Sequence, residues 1–167
     1  MSDALILIDV DGVLNPWQRQ GPQWEKHRAV ADGTTWNVIL NPDHGPMLLT
    51  LAAETGAELV WATTWDHDAN REIGPRIGLP ELPVIEVRTH PGEPGVHPKT
   101  PPVAEYVNGR PFVWFDDDLT AADARYLKDH PGVGEHLIVH VGPRVGLTPK
   151  HAEMAAAWLA NRAPQET

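Results

Sequence analysis

The chain has 167 residues, 41% of them hydrophobic and 22% charged, which is the profile of a globular protein and not of a disordered one. That length is about one domain, and the absence of cysteine excludes a disulfide scaffold, thiolate catalysis and a Cys-ligated zinc site. The formal net charge of −10 argues against extended, sequence-independent binding to nucleic acid, although a divalent cation held by a few aspartates would neutralise part of it.

The N-terminus has no basic n-region, apolar h-region or cleavage site, and no stretch approaches the ~20 apolar residues that span a bilayer. The expectation is a cytoplasmic protein with no membrane partner, folded as one domain over residues 1–167.

In chain order, Ala4 to Ile8 is an uninterrupted apolar run that meets Asp9, as in a strand buried on both faces of a parallel sheet. Residues 15 to 40 carry Pro16, Gly21 and Pro22 with Trp17, Trp24 and Trp36. Within them, extended segments Lys26 to Ala31 and Thr35 to Leu40 flank Asp32-Gly33, a hairpin-turn signal that predicts a β-hairpin flap over about 15–40.

Asn41-Pro42 reads as an N-cap and first-turn proline, and the spacing of Met47, Leu48, Leu51 and Ala52 predicts a helix ending near Gly56. Leu59 to Ala62 is the next strand and ends at Thr63-Thr64. Asp66 then reads as the cap of a short helix running to about Ile73, with His67 in its first turn, so that Asp66-His67-Asp68 is not assigned to a metal. Pro83 to Val87 is a third strand.

Residues 88 to 102 form a loop, with Lys99 just before a helix opened by Pro101-Pro102. Phe112 to Phe115 is a fourth strand running into Asp116-Asp117-Asp118, followed by a helix over about Thr120 to Lys128, a strand over Leu137 to Val141, and a helix opened by Thr148-Pro149. The alternation implies an α/β fold: a Rossmann-like open sheet of mainly parallel strands with helices on both faces, plus the small flap. Its ligand crevice lies beyond the carboxyl ends of the strands, where Asp9, Thr63 and Asp116 fall.

Asp9 and Asp11 sit two residues apart where a strand gives way to a loop, and Gly12 permits a sharp turn. One carboxylate can attack phosphorus while a second carboxyl protonates the leaving group and then activates water. Five carboxylates in one crevice would repel strongly, and a metal relieves that most simply. Singly, each element has a plainer reading: Asp116 to Asp118 or Thr63 as helix caps, and Lys99 as a solvated loop residue. Their joint order favours a site.

With Asp9-Val10-Asp11-Gly12-Val13-Leu14, then Thr63, Lys99 and Asp116-Asp117 in this order, the chain resembles the haloacid dehalogenase (HAD) superfamily of phosphatases. The resemblance implies Asp9 as nucleophile and Asp11 as general acid/base, which also offers its backbone carbonyl to Mg2+. Thr63, with Thr64 as an adjacent competitor, would hold a phosphoryl oxygen, and Lys99 would neutralise phosphoryl charge and keep Asp9 ionised. Asp116 and Asp117 would complete the Mg2+ shell, with Asp118 leaving that register open by one residue. The carboxyl groups of Asp9, Asp11 and Asp116 are expected to gather around one ion.

The intervals from Asp11 to Thr63 and from Thr63 to Lys99 leave no room for a full cap domain, so the resemblance points to a capless member with an open crevice. Asn15-Pro16 after the first motif, and Trp61-Ala62-Thr63-Thr64-Trp65, make the chain similar to the HAD domains associated with RNA-repair proteins. Arg19 and Trp17 of the flap are candidates to contact a phosphate and a base, against the plainer reading that the flap tryptophans pack the hairpin down. The substrate expected is a nucleotide, a nucleic-acid end or another small phosphoester. A phosphoprotein phosphatase with the same site and a non-catalytic HAD-fold binding module are the alternatives.

Overall fold

The computed structural model describes residues 3–162. The first apolar run forms β1 (Leu5–Ile8), and the flap is the antiparallel pair β2 (Glu25–Ala31) and β3 (Thr34–Leu40). Then come α1 (His44–Thr55), β4 (Glu58–Trp61), α2 (Asp68–Glu72) with a 3-10 turn over Gly74–Ile77, and α3 (Thr100–Val107). Last are β5 (Phe112–Asp116), α4 (Ala121–Asp129), β6 (His136–His140) and α5 (Pro149–Ala160). None of the described helices is long and apolar enough to cross a membrane.

The four-stranded sheet has the order β4-β1-β5-β6 with every pair parallel, and β1 is flanked on both sides. Successive side chains of a strand face opposite ways. Ile6 and Ile8 therefore join Leu59, Trp61 and Phe115 in a core under α1, α5 and the flap, whereas Leu5 and Leu7 join Val60, Phe112 and Trp114 in a second core under α3 and α4. Helices thus cover both faces, which is why β1 has no polar residue.

The hairpin turns at Asp32 (φ 50°) and Gly33 (φ 75°), the pair of left-handed residues that matches the twist of a two-residue hairpin loop. Its free edge is covered: Glu72 accepts from the Val30 N–H (2.5 Å), Asp68 from the Asp32 N–H (2.9 Å), and Arg76 donates to the Arg28 carbonyl (3.0 Å). Trp24, buried, meets the His44 ring edge-on at 5.3 Å, while Val38 and Leu40 enter the core. These contacts dock the flap on the domain.

Three expectations are corrected. Pro83 to Val87 makes one parallel bridge, Trp61 to Val84, and no strand. Proline has no N–H to give a ladder, and the Val87 and Arg88 N–H groups are taken by the Asp66 carboxylate (2.8 and 3.1 Å). Asp66 is for the same reason not a helix cap; it adopts φ 49° and braces that segment. Helix α1 begins at His44, with Asp43 at its cap position, two residues later than expected, although Asn41 still accepts the Asp43 N–H through its side chain (3.0 Å) and the His44 N–H through its carbonyl (3.0 Å) in the turn before it.

Candidate active site

Ile8 of β1 and Phe115 of β5 are partners in register, so the next residues, Asp9 and Asp116, emerge side by side at the carboxyl edge of the sheet. Both are buried. Lys99, at the start of α3 and only 2% exposed, reaches between them: its Nζ donates to Asp9 Oδ2 (2.8 Å) and to Asp116 Oδ2. The remaining oxygens are also engaged, Asp9 Oδ1 by the Val10 N–H (2.8 Å) and Asp116 Oδ1 by the Asp118 N–H (2.8 Å). The half-buried Asp117 completes a trio with Asp9 and Asp116, whose oxygens lie within 4.8 Å of one another.

Charge explains the electrostatics of this group. Burial first, opposed by Lys99 and reinforced by Asp116, holds the Asp9 carboxyl well above the usual carboxylate range. Asp117 is raised for the same reasons, burial and then Asp116. Burial disfavours the Lys99 ammonium, but the Asp9 and Asp116 carboxylates outweigh it and hold the lysine above its ordinary value. Three carboxylates facing one ammonium leave a surplus of negative charge among hard oxygen donors, and that donor set fits Mg2+.

Asp11 lies elsewhere than expected. Its carboxylate is exposed and accepts from Trp65 Nε1 (3.0 Å) and Asn15 Nδ2 (3.1 Å), outside the trio. Two residues beyond β1 the Val10 carbonyl collects the N–H groups of Val13, Leu14 and Asn15 (3.1, 2.9 and 2.9 Å), and that turn swings Asp11 away. Gly12 makes it possible: it sits at φ +78°, and a Cβ there would stand 2.1 Å from Asp117 Oδ2.

Asp9, Asp11, Thr64, His97, Lys99, Asp117 and Asp118 line a small cavity of about 130 Å3. Thr63 lies behind it, fully buried, with its hydroxyl accepting from the Trp65 N–H (3.2 Å), and Thr64 is the threonine on the cavity wall. Gly12 underlies Asp117. Arg19 and Trp17 are not brought to this cavity: the Arg19 guanidinium folds onto the Gly21 and Pro22 carbonyls (3.2 and 3.4 Å), and Trp17 is 68% exposed. Of the three flap tryptophans, Trp24 packs as a plain structural residue, whereas Trp17 and Trp36 are exposed.

Two residues without an assigned role hold the site in shape. Asp123, 1% exposed, accepts from the His97 N–H (2.7 Å) and the Thr100 hydroxyl (2.8 Å) through one oxygen, and from the Thr120 N–H (2.8 Å) and hydroxyl (3.1 Å) through the other. It thereby ties the turn that carries Lys99 to the helix start that follows Asp116 to Asp118. Burial works to raise its carboxyl, but these donors hold it below the usual range. His97 accepts the Lys99 N–H at Nδ1 (3.2 Å) and faces Asp118 at 3.6 Å. Thr120-x-x-Asp123 is a capping box that the sequence displays; His97 carried no signal.

A parallel sheet that gathers an aspartate trio and a buried lysine at its carboxyl edge, under a hairpin and with no cap domain among the described residues, defines a domain of the HAD superfamily. The chain belongs to the family described as the HAD domain in Swiss Army Knife RNA repair proteins, whose model matches residues 5–152, from β1 into α5. HAD domains are generally hydrolases of the phosphatase type and typically use Mg2+. No curated protein and no solved structure matches the chain.

Proposed function

We propose that the chain is a Mg2+-dependent phosphomonoester hydrolase that forms an aspartyl-phosphate on Asp9 and acts on a nucleotide, a nucleic-acid end or another small phosphoester. The observation that carries this reading is the bridging of Asp9 and Asp116 by the buried Lys99 while a second carboxylate, Asp11, outside that ion pair, stands on the wall of the same cavity. The nucleophile must be ionised against the burial that raises it, and Lys99 together with a cation at the trio would supply the opposing charge. The acid/base must reach the leaving oxygen, and Asp11 is exposed and steadied by Trp65 and Asn15. The family's link to RNA repair supports a nucleotide or nucleic-acid end among phosphoesters.

In this mechanism an Asp9 oxygen attacks phosphorus and the bond to the leaving oxygen breaks as the Asp11 carboxyl hands that oxygen its proton. Asp11, now a carboxylate, takes a proton from water; the resulting hydroxide attacks the aspartyl-phosphate, freeing inorganic phosphate and Asp9. Thr64, with Thr63 behind it, and the Lys99 ammonium hold the phosphoryl oxygens. Asp9, Asp116 and Asp117, with the Asp11 carbonyl, would hold Mg2+, which when bound supplies charge neutralisation of the phosphoryl group.

The test is phosphate release from nucleotides, phosphorylated oligonucleotides, sugar phosphates and phosphopeptides with and without Mg2+. Release that needs Mg2+ and is lost in Asp9→Asn, with a phosphate adduct on the Asp9 peptide after acid quench, is the expected result. A preference for phosphopeptides would move the assignment to a phosphoprotein phosphatase. No turnover of any ester would leave a binding module.

A further inference from the structure

The flap packs its inward face on the domain through Ala29, Ala31, Val38 and Leu40. Strand alternation places Thr34, Trp36, Val38 and Leu40 on one side of β3. Val38 and Leu40 are buried in the core, and so are Ala29 and Ala31, the cross-strand partners of Trp36 and Thr34. Trp36 alone among the large apolar residues of that face is 53% exposed. A half-bare indole on a face that otherwise packs inward forfeits burial that a ligand ring would restore.

What Trp36 faces is a cleft of about 440 Å3, within the size range of small-molecule sites. Asp11, Thr64 and Trp65 form its other wall, and Asp11 and Thr64 also line the cavity at Asp9. The two spaces therefore share a wall at the residue that meets the leaving oxygen. A phosphoester seated at Asp9 has the cleft next to its leaving group. The flap is held at this spacing by Asn15, which accepts from the Ile39 N–H of β3 (2.9 Å) and donates to Asp11.

The lining defines the chemistry. The Trp36 indole is accompanied by Thr34 and Asp32, which offer a hydroxyl and a carboxylate to the edge of a flat ring. The cation on the wall, Arg88, is already tied to Asp68 (2.9 Å) and to the Thr64 and Trp65 carbonyls (2.8 and 2.7 Å). The cleft thus suits an uncharged heteroaromatic ring better than a second phosphate. Resting on the phosphohydrolase reading above, we propose that the flap cleft is the leaving-group subsite and takes the nucleoside of the phosphomonoester, its base stacked on Trp36. A free nucleoside monophosphate and the phosphorylated end of an oligonucleotide share this chemistry.

The experiment compares kcat/KM for nucleoside 3′- and 5′-monophosphates, short oligonucleotides phosphorylated at either end, ribose 5-phosphate and a phosphotyrosine peptide in wild type, Trp36→Ala and Trp36→Phe, with thermal melts to verify folding. The expected ratio of nucleotide to ribose 5-phosphate is about tenfold or more in wild type, falls by a similar factor in Trp36→Ala chiefly through KM, and is largely kept in Trp36→Phe. The better of the mononucleotide and oligonucleotide arms identifies the source of the nucleoside. A ratio near unity, a ratio that Trp36→Ala leaves in place, or a peptide preferred over every nucleotide overturns the subsite. Should no ester be hydrolysed, the phosphatase reading fails separately, and titration calorimetry with adenosine 5′-monophosphate decides the subsite: binding weakened about tenfold in Trp36→Ala upholds it, and no binding to wild type overturns it.

Discussion

Replacing Lys99 by methionine keeps most of the side-chain volume and removes the one charge that bridges Asp9 and Asp116. Lys99 is 2% exposed and both acids are buried, so a neutral water from the small cavity they border would not restore the lost charge. Losing one partner of a buried ion pair costs about 3–5 kcal/mol. The lower end applies, since Asp9, already held well above the carboxylate range by burial, escapes by taking up a proton. For a chain of this length each kcal/mol moves Tm by roughly 2–4 °C, so a loss of about 3 kcal/mol lowers Tm by about 6–12 °C.

The pH dependence has a definite sign. In the variant the Asp9 carboxyl rises further above its unfolded value of about 3.9. A group raised in the folded state contributes stability that is complete below the unfolded pKa and is lost as pH rises through the folded one. The Tm deficit of Lys99→Met against wild type therefore grows as pH rises from the acid side through the folded pKa of Asp9, which lies well above the ordinary carboxylate range. Saturating Mg2+ recovers part of it, because a cation at the trio again opposes the carboxylates. Calorimetric melts across that rise in pH, with and without Mg2+, measure this; a deficit that is the same at every pH would refute the charge argument and leave only lost packing.

Asp116→Asn is expected to weaken Mg2+ binding more than tenfold by calorimetry, whereas Asp11→Asn, whose carboxylate lies outside the trio, keeps most of the affinity while losing turnover. Gly12→Ala combines a left-handed backbone with a Cβ driven into Asp117, so Tm falls by several degrees and Mg2+ affinity falls with it. Asp123→Asn removes a charged acceptor from four hydrogen bonds and is expected to cost about 2 kcal/mol and to lower kcat more than it raises KM, because the Lys99 turn loosens; equal Tm and equal kcat would show that the tie is dispensable. Burial lowers the His44 pKa in the folded state, so stability drops as pH falls below the unfolded value of about 6.5, and His44→Gln flattens that part of the Tm profile.

Much of the frame is readable in the chain because it rests on local chemistry. An apolar run such as Leu5 to Ile8 is pointless on a solvated strand, and Asp32-Gly33 supplies the two left-handed residues a tight hairpin demands. The same reading misplaced Pro83 to Val87, since apolar β-branched residues favour an extended chain but only the tertiary neighbour Asp66 decides where its N–H groups go. It also assigned Arg19 to the substrate on charge alone, when the nearest acceptors belong to its own loop.

The order of acids and lysine along the chain was enough to specify which groups sit at the sheet edge, because parallel strands bring all their carboxyl ends to one side. Sequence spacing does not carry the direction of a side chain after the strand ends. The turn at Val10 separates Asp11 from the aspartate trio, Asp123 ties distant turns together, and Trp36 meets Asp11 across a cleft although 25 positions separate them. Each is a contact between elements far apart in the chain, set by how the flap and helices dock, and no local propensity encodes it.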